Sequence, residues 1–377
     1  MKFLSVSRLK QLPISEQPIE IVERKGLGHP DTITDLIVNQ ISIELSKEYL
    51  KKVGVILHHN IDKALLVAGE TEVKFKGGIV KHPMLLVIGD RATYKAGDID
   101  IPVDEIALRT AKNWFKKNLR FVDPYEHVKY QIELKEGSAA LKDIFRRSKE
   151  ILGANDTSAC VGYAPYSKLE KLLIRLEKWL NSKKFKKEHP ESGEDIKIMG
   201  IRKGNSLDLT IAMAFVDRFI ENEKDYFRKK EEIYDKIVEW LKENECCDKI
   251  NVSLNVLDRR GRGTNGIYLT VLGTSADGAD CGQVGRGNRA NGVISLNRPS
   301  SSEAAAGKNP VSHVGKIYNL LSFELAREIK KRINGIDEVY VWLVSKIGQR
   351  IDKPAIVSVE YISEKEINEK EVREEIE

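Results

Sequence analysis

Cysteine is scarce in this 377-residue chain, and its four occurrences are poorly placed for metal or disulfide chemistry. Cys246 and Cys247 are adjacent, and neither Cys160 nor Cys281 completes a CxxC pair. This spacing disfavours a zinc site and a disulfide framework, and it is typical of a reducing compartment. The sequence also lacks a run of about 18 apolar residues, as a membrane span requires, and the apolar segment of a signal peptide. We therefore expect a cytoplasmic protein that does not enter a membrane.

A large excess of one charge sign is also missing. Lys and Arg total 62 against 57 Asp and Glu, so the formal net charge is only +5. A surplus this small does not favour nucleic-acid binding, and no RNP-type aromatic motif supports it. It is compatible with a local positive site for a small anion. The hydrophobic fraction of 41% is sufficient for a sizeable core in two or three domains or in one composite unit.

Hydrophobic periodicity predicts about five helices. Asp35 is expected to cap the first, whose inner face repeats at steps of four: Ile37, Ile41, Leu45 and Tyr49. Apolar stripes predict further helices around residues 106–114 and 169–180. Two more are expected over about 219–244 and, after Pro310, to about residue 332.

Alternating apolar and polar residues predict strands between these helices, beginning with 128–134. Three further pairs of strands flank short turn or glycine-rich segments: 196–201 and 207–214, 252–256 and 267–272, 339–344 and 355–359. Gly204-Asn205 is expected to be the turn of a hairpin. Paired strands with intervening helices favour a layered α+β fold over a doubly wound parallel sheet. The charged segment 183–194 is expected to be an exposed loop.

The segment ERKGLGHPD at residues 23–31 is the first that could carry chemistry. Gly26 and Gly28 allow the backbone to approach a ligand closely, because glycine has no Cβ. His29 is a possible proton donor, and Asp31 offers the hard oxygen ligands that Mg²⁺ prefers. Taken alone, a His-Pro-Asp sequence is more often a structural turn.

A second segment, GANDTS at residues 153–158, is a small-residue loop that leads into a strand. Asp156 could hold an amine or a ribose hydroxyl. On this segment alone, an Asx-turn that enters a strand is the favoured interpretation.

Glycine, arginine and lysine are densest in residues 273–316. Arg286, Arg289 and Arg298 carry forked donors suited to phosphate. Lys308 is expected just before a helix start, where free N–H groups and the helix dipole attract phosphate. The alternative is a flexible loop with ordinary surface arginines. The block contains neither GxxxxGK[ST] nor a complete GxGxxG fingerprint, which disfavours the common nucleotide-binding folds.

Together these segments make the chain resemble the S-adenosylmethionine synthetases, or methionine adenosyltransferases, of the archaeal type. The matching words, distributed over nearly the whole chain, are ERKGLGHPD at 23–31, ANDTS at 154–158, VGYAP at 161–165, LTIAMAFVDR at 209–218, GRGNRANG at 285–292 and AAGKNPVSHVGKIYN at 305–319.

The resemblance implies an enzyme that transfers the adenosyl group of ATP to L-methionine. The methionine sulfur attacks the ribose C5′, and the tripolyphosphate that leaves is hydrolysed to pyrophosphate and phosphate. It also implies Mg²⁺ as cofactor and a homodimer with active sites at the subunit interface. Residues 57–60 contain no clear counterpart of the family's potassium-binding glutamate, so a K⁺ requirement stays open.

The same resemblance implies roles for individual residues. The residues implied for catalysis are His29, Arg286 and Lys308, and the implied metal ligand is Asp31. The residues implied to bind ATP and its phosphates are Gly137, Ser138, Asp280, Arg286, Arg289, Lys308 and Lys316, with 136–140 as the gating-loop region. The residues implied to bind methionine and adenosine are Glu70, Asp156, Thr157 and Arg202.

For the fold, the resemblance implies three similar α/β lobes about a pseudo-threefold axis. Each lobe has a mixed sheet with helices on one face, and strands are exchanged between lobes. The expected lobe segments of this single composite unit are 14–125, 126–250 and 251–363, followed by a charged tail at 364–377. Two alternatives are another ATP-dependent ligase or kinase, and a non-catalytic module that binds anions or RNA.

Overall fold

A computed structural model describes residues 4–138, 145, 151–244, 246–364 and 367–377. The helices within these residues are α1 (Pro30–Val53), α2 (Val103–Asn118), α3 (Lys168–Leu180), α4 (Lys183–Glu188), α5 (Glu223–Glu243), α6 (Val314–Arg332) and α7 (Glu369–Ile376). The longer strands are β1 (Leu4–Arg8), β2 (Ile19–Lys25), β3 (His59–Val67), β6 (Met84–Ala92), β9 (Val128–Glu136), β10 (Ala159–Ala164), β11 (Ser192–Lys203), β12 (Ser206–Val216), β13 (Lys249–Leu254), β17 (Glu338–Val344) and β18 (Ile356–Ile362). The short strands are β4 (Glu70–Glu72), β5 (Ile79–His82), β7 (Lys95–Ala96), β8 (Ile99–Asp100), β14 (Leu269–Thr270), β15 (Gly282–Gln283) and β16 (Ile294–Ser295).

The sheet that carries the first two helices has the strand order β15-β3-β6-β9. The predicted inner face of α1 is confirmed, since four side chains are fully buried: Ile37, Ile41, Leu45 and Tyr49. The predicted cap is wrong, because α1 begins at Pro30 and its N-cap is His29. Proline is favoured at the first helical position, where its missing N–H would have had no helical partner. Asp35 therefore lies inside the helix.

The central sheet has the order β13-β12-β11-β2-β16, with β14 also paired to β12. The predicted hairpin at Gly204-Asn205 is confirmed: Lys203 pairs with Ser206 across a two-residue turn in which Gly204 has φ +55°. The strands at 252–256 and 267–272 do not pair with each other. Both β13 and β14 instead run parallel to β12, which lies between them and the rest of the sheet.

The third sheet has the order β1-β18-β17-β10 and packs against α6 and α7. β17 and β18 form the antiparallel pair expected around residues 339–359, while β1 joins β18 in parallel. The charged tail forms α7, whose Val372 is buried in this core.

Each main sheet contains a strand from a distant part of the chain, so strands are exchanged as expected. β2 joins β11, β15 joins β3, and β10 joins β17. Three hydrophobic clusters fill the spaces between these sheets and their helices. The mixed α/β fold is thereby confirmed. The lobe boundaries and the threefold relation between lobes stay predictions. No helix in the described part of the chain combines the length and apolar character of a membrane span.

The segment 183–194 is not the exposed loop that its charges suggested. It forms α4 and the start of β11, with Phe185 only 3% exposed. Lys186 Nζ donates to the carbonyl of Gly193 at 2.6 Å, and burial lowers the pKa of Lys186 to about 7. Arg120 pairs with Glu194 at 2.5 Å. The side chains of Lys183, Lys184, Lys187 and Glu188 are exposed, whereas Lys186 and Glu194 are buried with hydrogen-bond or ion-pair partners. The segment is therefore only partly exposed, and composition could not show which of its charges are buried.

Candidate active site

Close backbone packing at the predicted site occurs in residues 26–28, which we call the glycine loop. It connects β2 to α1 and lies against β11. Gly26 N–H donates to Ile196 O at 2.6 Å, and Gly28 N–H donates to Glu194 O at 2.9 Å. A Cβ added to Gly28 would lie 2.5 Å from Asp195 N. Both glycines are therefore required for the loop to approach this strand.

Side chains from other segments complete the hydrogen bonds of the glycine loop. Leu27 N–H donates to Glu177 Oε1 at 3.2 Å. Gly28 O accepts from Thr274 Oγ1 at 2.7 Å. Main-chain groups that are buried need such partners, and these contacts fix the loop that presents His29.

His29 is the N-cap of α1 and is buried. Its Nδ1 accepts a hydrogen bond from Asp31 N at 3.2 Å, so the proton of the neutral ring lies on Nε2. Burial and, to a smaller extent, the nearby Lys25 charge lower the pKa of His29 to about 4. At neutral pH the imidazole is therefore an uncharged donor through Nε2.

Asp31 and Lys25 form a buried ion pair beside His29. Lys25 Nζ lies 2.8 Å from Asp31 Oδ2 and donates to the main-chain oxygen of Arg286 at 2.7 Å. Asp31 Oδ1 accepts from Gln283 N at 2.9 Å. Lys25 was not among the predicted site residues, although its position in ERKGLGHPD could have indicated it. These contacts dock the 282–289 segment onto the start of α1.

A polar stripe continues along α1 from this ion pair. Asp31, Asp35 and Asn39 are four residues apart and so share one face of the helix. Asp35 accepts from the N–H groups of Gly285 and Gly287 at 2.7 and 3.1 Å. Burial raises the pKa of Asp35 to about 6. The arginine-rich segment is thus held by helix side chains and is not a free loop.

A cavity of about 440 Å³ opens beside His29, and we call it the first cavity. Its charged and polar lining is His29, Asp195, Lys197, Thr210, Asn255, Asp258, Tyr268, Ser275 and Asp280. Asp195 Oδ2 accepts from both Ser275 N and Ser275 Oγ, and burial raises the pKa of Asp195 to about 6. Asp280 and His29 therefore line the same cavity. The sequence did not single out Asp195 or Lys197; Asp195 directly follows the segment assigned to an exposed loop.

Lys308 is the centre of a second charged group, the lysine cluster, formed with Asp62 and Glu303. Lys308 is 3% exposed, and its Nζ lies 2.8 Å from Asp62 Oδ2 and 3.3 Å from Glu303 Oε2. The residue does not directly precede a helix: α6 begins at Val314, and Lys308 itself forms a bridge with Asn60 of β3. The expectation that Lys308 lies just before a helix start is therefore wrong.

Two neighbouring carboxyl groups, those of Asp62 and Asp90, lie at the lysine cluster. Asn60 Nδ2 donates to both Asp62 and Asp90 at 3.0 Å. Burial and the neighbouring Asp62 raise the pKa of Asp90 to about 7. Burial opposes ionisation of Asp62 too, but its bonds to Asp90 and Lys308 lower its pKa. Asp90 also has φ +98°, an unusual backbone conformation for a residue with a side chain. No sequence motif had indicated this pair.

Asp156 and Thr157 lie in an exposed turn that is linked to the lysine cluster. Thr157 N–H donates to Asp156 Oδ1 at 2.7 Å, a bond to the very next residue and so not the two-residue Asx-turn bond. Ser158 Oγ donates to Glu303 Oε1 at 3.4 Å, and Glu303 also contacts Lys308. The structure therefore brings the second motif to the third.

Arg289 and Lys316 lie apart from the first cavity. Both line a second cavity of about 450 Å³ that also includes Asp35, Asn39 and Glu303. Lys316 Nζ donates to Asn39 Oδ1 at 2.5 Å, and burial lowers the pKa of Lys316 to about 8. Of the predicted phosphate residues, Asp280 therefore lines the first cavity, whereas Arg289 and Lys316 line the second.

Two predicted arginines are buried in ion pairs. Arg202 bonds Glu20 at 3.1 Å and donates three more hydrogen bonds to main-chain oxygens. It lies seven residues along β11 from Asp195, about 23 Å away. Arg298 pairs with Glu170 at 3.0 Å and Glu338 at 3.2 Å, so it has no charge free for phosphate.

The remaining predicted residues lie at the edges of the site. Glu70 is in β4, 3.7 Å from the exposed His82. A Cβ at Gly137 would overlap the ring of His58, and Ser138 is exposed. Ala139 and Ala140 of the predicted gating loop lie outside the described residues.

No three His, Cys, Asp or Glu side chains are placed to hold a metal ion within the described residues. Asp31 still fits Mg²⁺, which proteins usually hold through one or two carboxylates together with substrate phosphates and water. Each Asp31 oxygen accepts one hydrogen bond from Gln283 or Lys25 and keeps a further lone pair.

A family model described as S-adenosylmethionine synthetase (AdoMet synthetase) matches residues 2–377. An S-adenosylmethionine synthase of Pyrococcus furiosus is 46% identical over 359 residues, which cover 95% of this chain and 88% of the relative. A probable S-adenosylmethionine synthase of Aquifex aeolicus is 44% identical over 379 residues, covering 100% of this chain and 94% of the relative. A solved S-adenosylmethionine synthetase from Campylobacter jejuni has the same fold, with a TM-score of 0.61 and 16% identity over 95% of this chain and 85% of that chain.

Proposed function

Because the chain belongs to the S-adenosylmethionine synthetase family, we propose that it forms S-adenosylmethionine from ATP and L-methionine. The bond from C5′ to its oxygen breaks as the methionine sulfur bonds C5′. The product is a sulfonium cation, and tripolyphosphate leaves with the electron pair before its hydrolysis to pyrophosphate and phosphate. The proposal is supported above all by the buried group of Lys25, His29 and Asp31 beside the first cavity.

The chemistry requires charge stabilisation more than proton removal. A thioether is a neutral nucleophile, so no general base is needed. Tripolyphosphate leaves readily only where its developing charge meets fixed donors and cations. Neutral His29 keeps a proton on Nε2 for the oxygen that departs from C5′, while Arg286 and Lys308 supply positive charge. Lys25 holds the 282–289 segment in place through Arg286 O.

Asp31 would hold Mg²⁺, with Asp280 of the first cavity as a second carboxylate on the nucleotide side. When bound, the ion neutralises phosphate charge. We propose no K⁺ ligand. Glu70, Asp156 and Thr157 are proposed to contact methionine or adenosine. Gly137 and Ser138 are proposed to approach the phosphates. Arg202 is left out, because its donors are already paired.

We propose a homodimer in which a second copy completes each active site. Apolar side chains lie exposed beside the predicted site: Leu257, at the first cavity, is 88% exposed, and Leu65, on β3, is 40% exposed. Exposed apolar groups at the rim of a polar cavity favour a protein contact. Asp62 of the lysine cluster lies on the same strand as Leu65. We place the enzyme in the cytoplasm.

Incubation with ATP, Mg²⁺ and L-methionine, with and without K⁺, tests the reaction. S-adenosylmethionine with equal pyrophosphate and phosphate is the expected result. Formation of ADP or an acyl-adenylate would instead indicate a kinase or ligase. RNA binding that is independent of nucleotide and sensitive to salt would indicate the non-catalytic alternative.

A further inference from the structure

We propose that Glu177, on α3, is a positioning residue for the reaction. It holds the glycine loop in the conformation that places His29 against the departing oxygen. This inference rests on the proposed function. Glu177 is 150 residues from Leu27 in sequence and lies in a helix that none of the site motifs includes.

Both carboxylate oxygens of Glu177 are saturated by protein donors. Oε1 accepts from Leu27 N at 3.2 Å and from Asn181 Nδ2 at 2.8 Å. Oε2 accepts from Arg24 Nε at 3.0 Å and from Arg24 Nη2 at 2.6 Å. The residue is 3% exposed. Four donors are the full capacity of an ionised carboxylate, so this group is fixed in one orientation.

Glu177 is also the one side chain in the described part of the chain that accepts an N–H of the glycine loop. The other two N–H groups of the loop, those of Gly26 and Gly28, donate to main-chain oxygens of β11. Loss of the carboxylate would leave the Leu27 N–H, at a part-buried position, without a protein partner, which is costly. The loop would shift to expose that group, and His29, whose N–H donates to Gly26 O at 3.1 Å, would move with it.

Through Asn181, Glu177 is also linked to β11, the strand against which the glycine loop packs. Asn181 Nδ2 also donates to Glu194 O at 3.2 Å, the same oxygen that accepts the N–H of Gly28. Arg24, held on the other oxygen, lies at the entry of the loop on β2. The Glu177 carboxylate therefore bonds Arg24 at the start of the loop and Leu27 in its middle, and it is linked to β11 through Asn181.

A buried glutamate elsewhere has matching contacts and no link to the loop. Glu338 pairs with Arg298 at 3.2 Å and accepts the main-chain N–H of Ile14 at 3.1 Å. Glu338→Ala should therefore lower the melting temperature about as much as Glu177→Ala does. If both variants keep the fold, only the change at Glu177 should affect turnover.

The experiment measures kcat and both KM values for S-adenosylmethionine formation, together with Tm. We expect Glu177→Ala to lower kcat at least about tenfold, with KM for methionine within about twofold. Glu177→Gln should restore kcat to within about threefold, because its amide oxygen still accepts the Leu27 N–H. Glu338→Ala should keep the wild-type kcat.

Several outcomes would overturn the assignment. A wild-type enzyme that makes no S-adenosylmethionine would refute the proposed function and, with it, this role. An active wild type with unchanged kcat in Glu177→Ala, or equal losses in Glu177→Ala and Glu338→Ala, would refute the positioning role alone. If Glu177→Ala does not fold, Asn181→Ala is measured instead. A lower kcat at unchanged methionine KM then supports the role, and an unchanged kcat refutes it.

Discussion

Replacement of Gly28 by alanine is expected to stop turnover while leaving most of the fold in place. The new Cβ would lie 2.5 Å from Asp195 N and from Glu194 C, whereas ordinary contacts begin at 3.4 Å. The loop and β11 would have to separate by about 0.9 Å, the difference between these distances. Both neighbours are backbone atoms of a central strand, so no side-chain rotation can relieve the overlap.

The expected loss follows from that displacement. Because His29 directly follows Gly28, it moves by a similar distance, and a misplacement of about 1 Å costs on the order of 100-fold in rate. Overpacking should cost about 1–3 kcal/mol of stability. The assay is the initial rate of S-adenosylmethionine formation over a range of both substrates, with thermal unfolding measured in parallel.

Gly54→Ala is the matched control. Gly54 ends α1 with φ +81° and has no atom within 4 Å of an added Cβ. Alanine there should cost about 1 kcal/mol through its backbone conformation and leave kcat unchanged. A Gly28→Ala enzyme that keeps kcat within about threefold of the wild type would refute the reasoning.

The other predictions concern charged groups. Arg286→Ala and Lys308→Ala should each lower kcat at least about 100-fold, and Arg286→Ala should not change Tm because that side chain is exposed; an unchanged rate would remove these roles. Arg202→Met should cost about 3–5 kcal/mol by leaving Glu20 unpaired, with the methionine KM unchanged; a raised KM would restore its predicted binding role. Burial lowers the pKa of His59 to about 4, so the unfolded chain gains a proton first as pH falls below about 6.5, and stability is lost between these values. His59→Gln should therefore reduce the stability difference between pH 7 and pH 5, measured by urea unfolding, by about 2 kcal/mol.

Much of the local structure could be predicted because helix and hairpin patterns depend on neighbouring residues. The stripe from Ile37 to Tyr49 and the turn at Gly204 needed no knowledge of the tertiary fold. Partners of strands are different, since the sequence of a strand such as β13 or β14 does not specify which of the available edges it joins. Their parallel alignment with β12 depends on how the chain returns to the sheet, which periodicity does not encode.

The arginine- and lysine-rich block shows the same division within the site. Its composition indicated an anion site, and Arg286 remains a candidate for that role. Composition could not distinguish it from Arg298, which has the same side chain but is paired with buried carboxylates. Nor could it place Lys316 in a second cavity. Whether a cation is free for a ligand depends on the partners that folding brings to it.

The sequence by itself determined the family and the segments that carry the chemistry. Long ordered segments such as ERKGLGHPD and GKNPVSHVGK resemble those of the family in residue type and order. Only the tertiary structure decided which of their side chains meet. Lys308 and Asp62 are far apart in sequence, as are Leu27 and Glu177, and each pair meets because strands and helices from separate segments pack together. Hydrogen bonds and ion pairs act over a few ångströms, so a site assembled from such distant segments exists only once the sheets have formed.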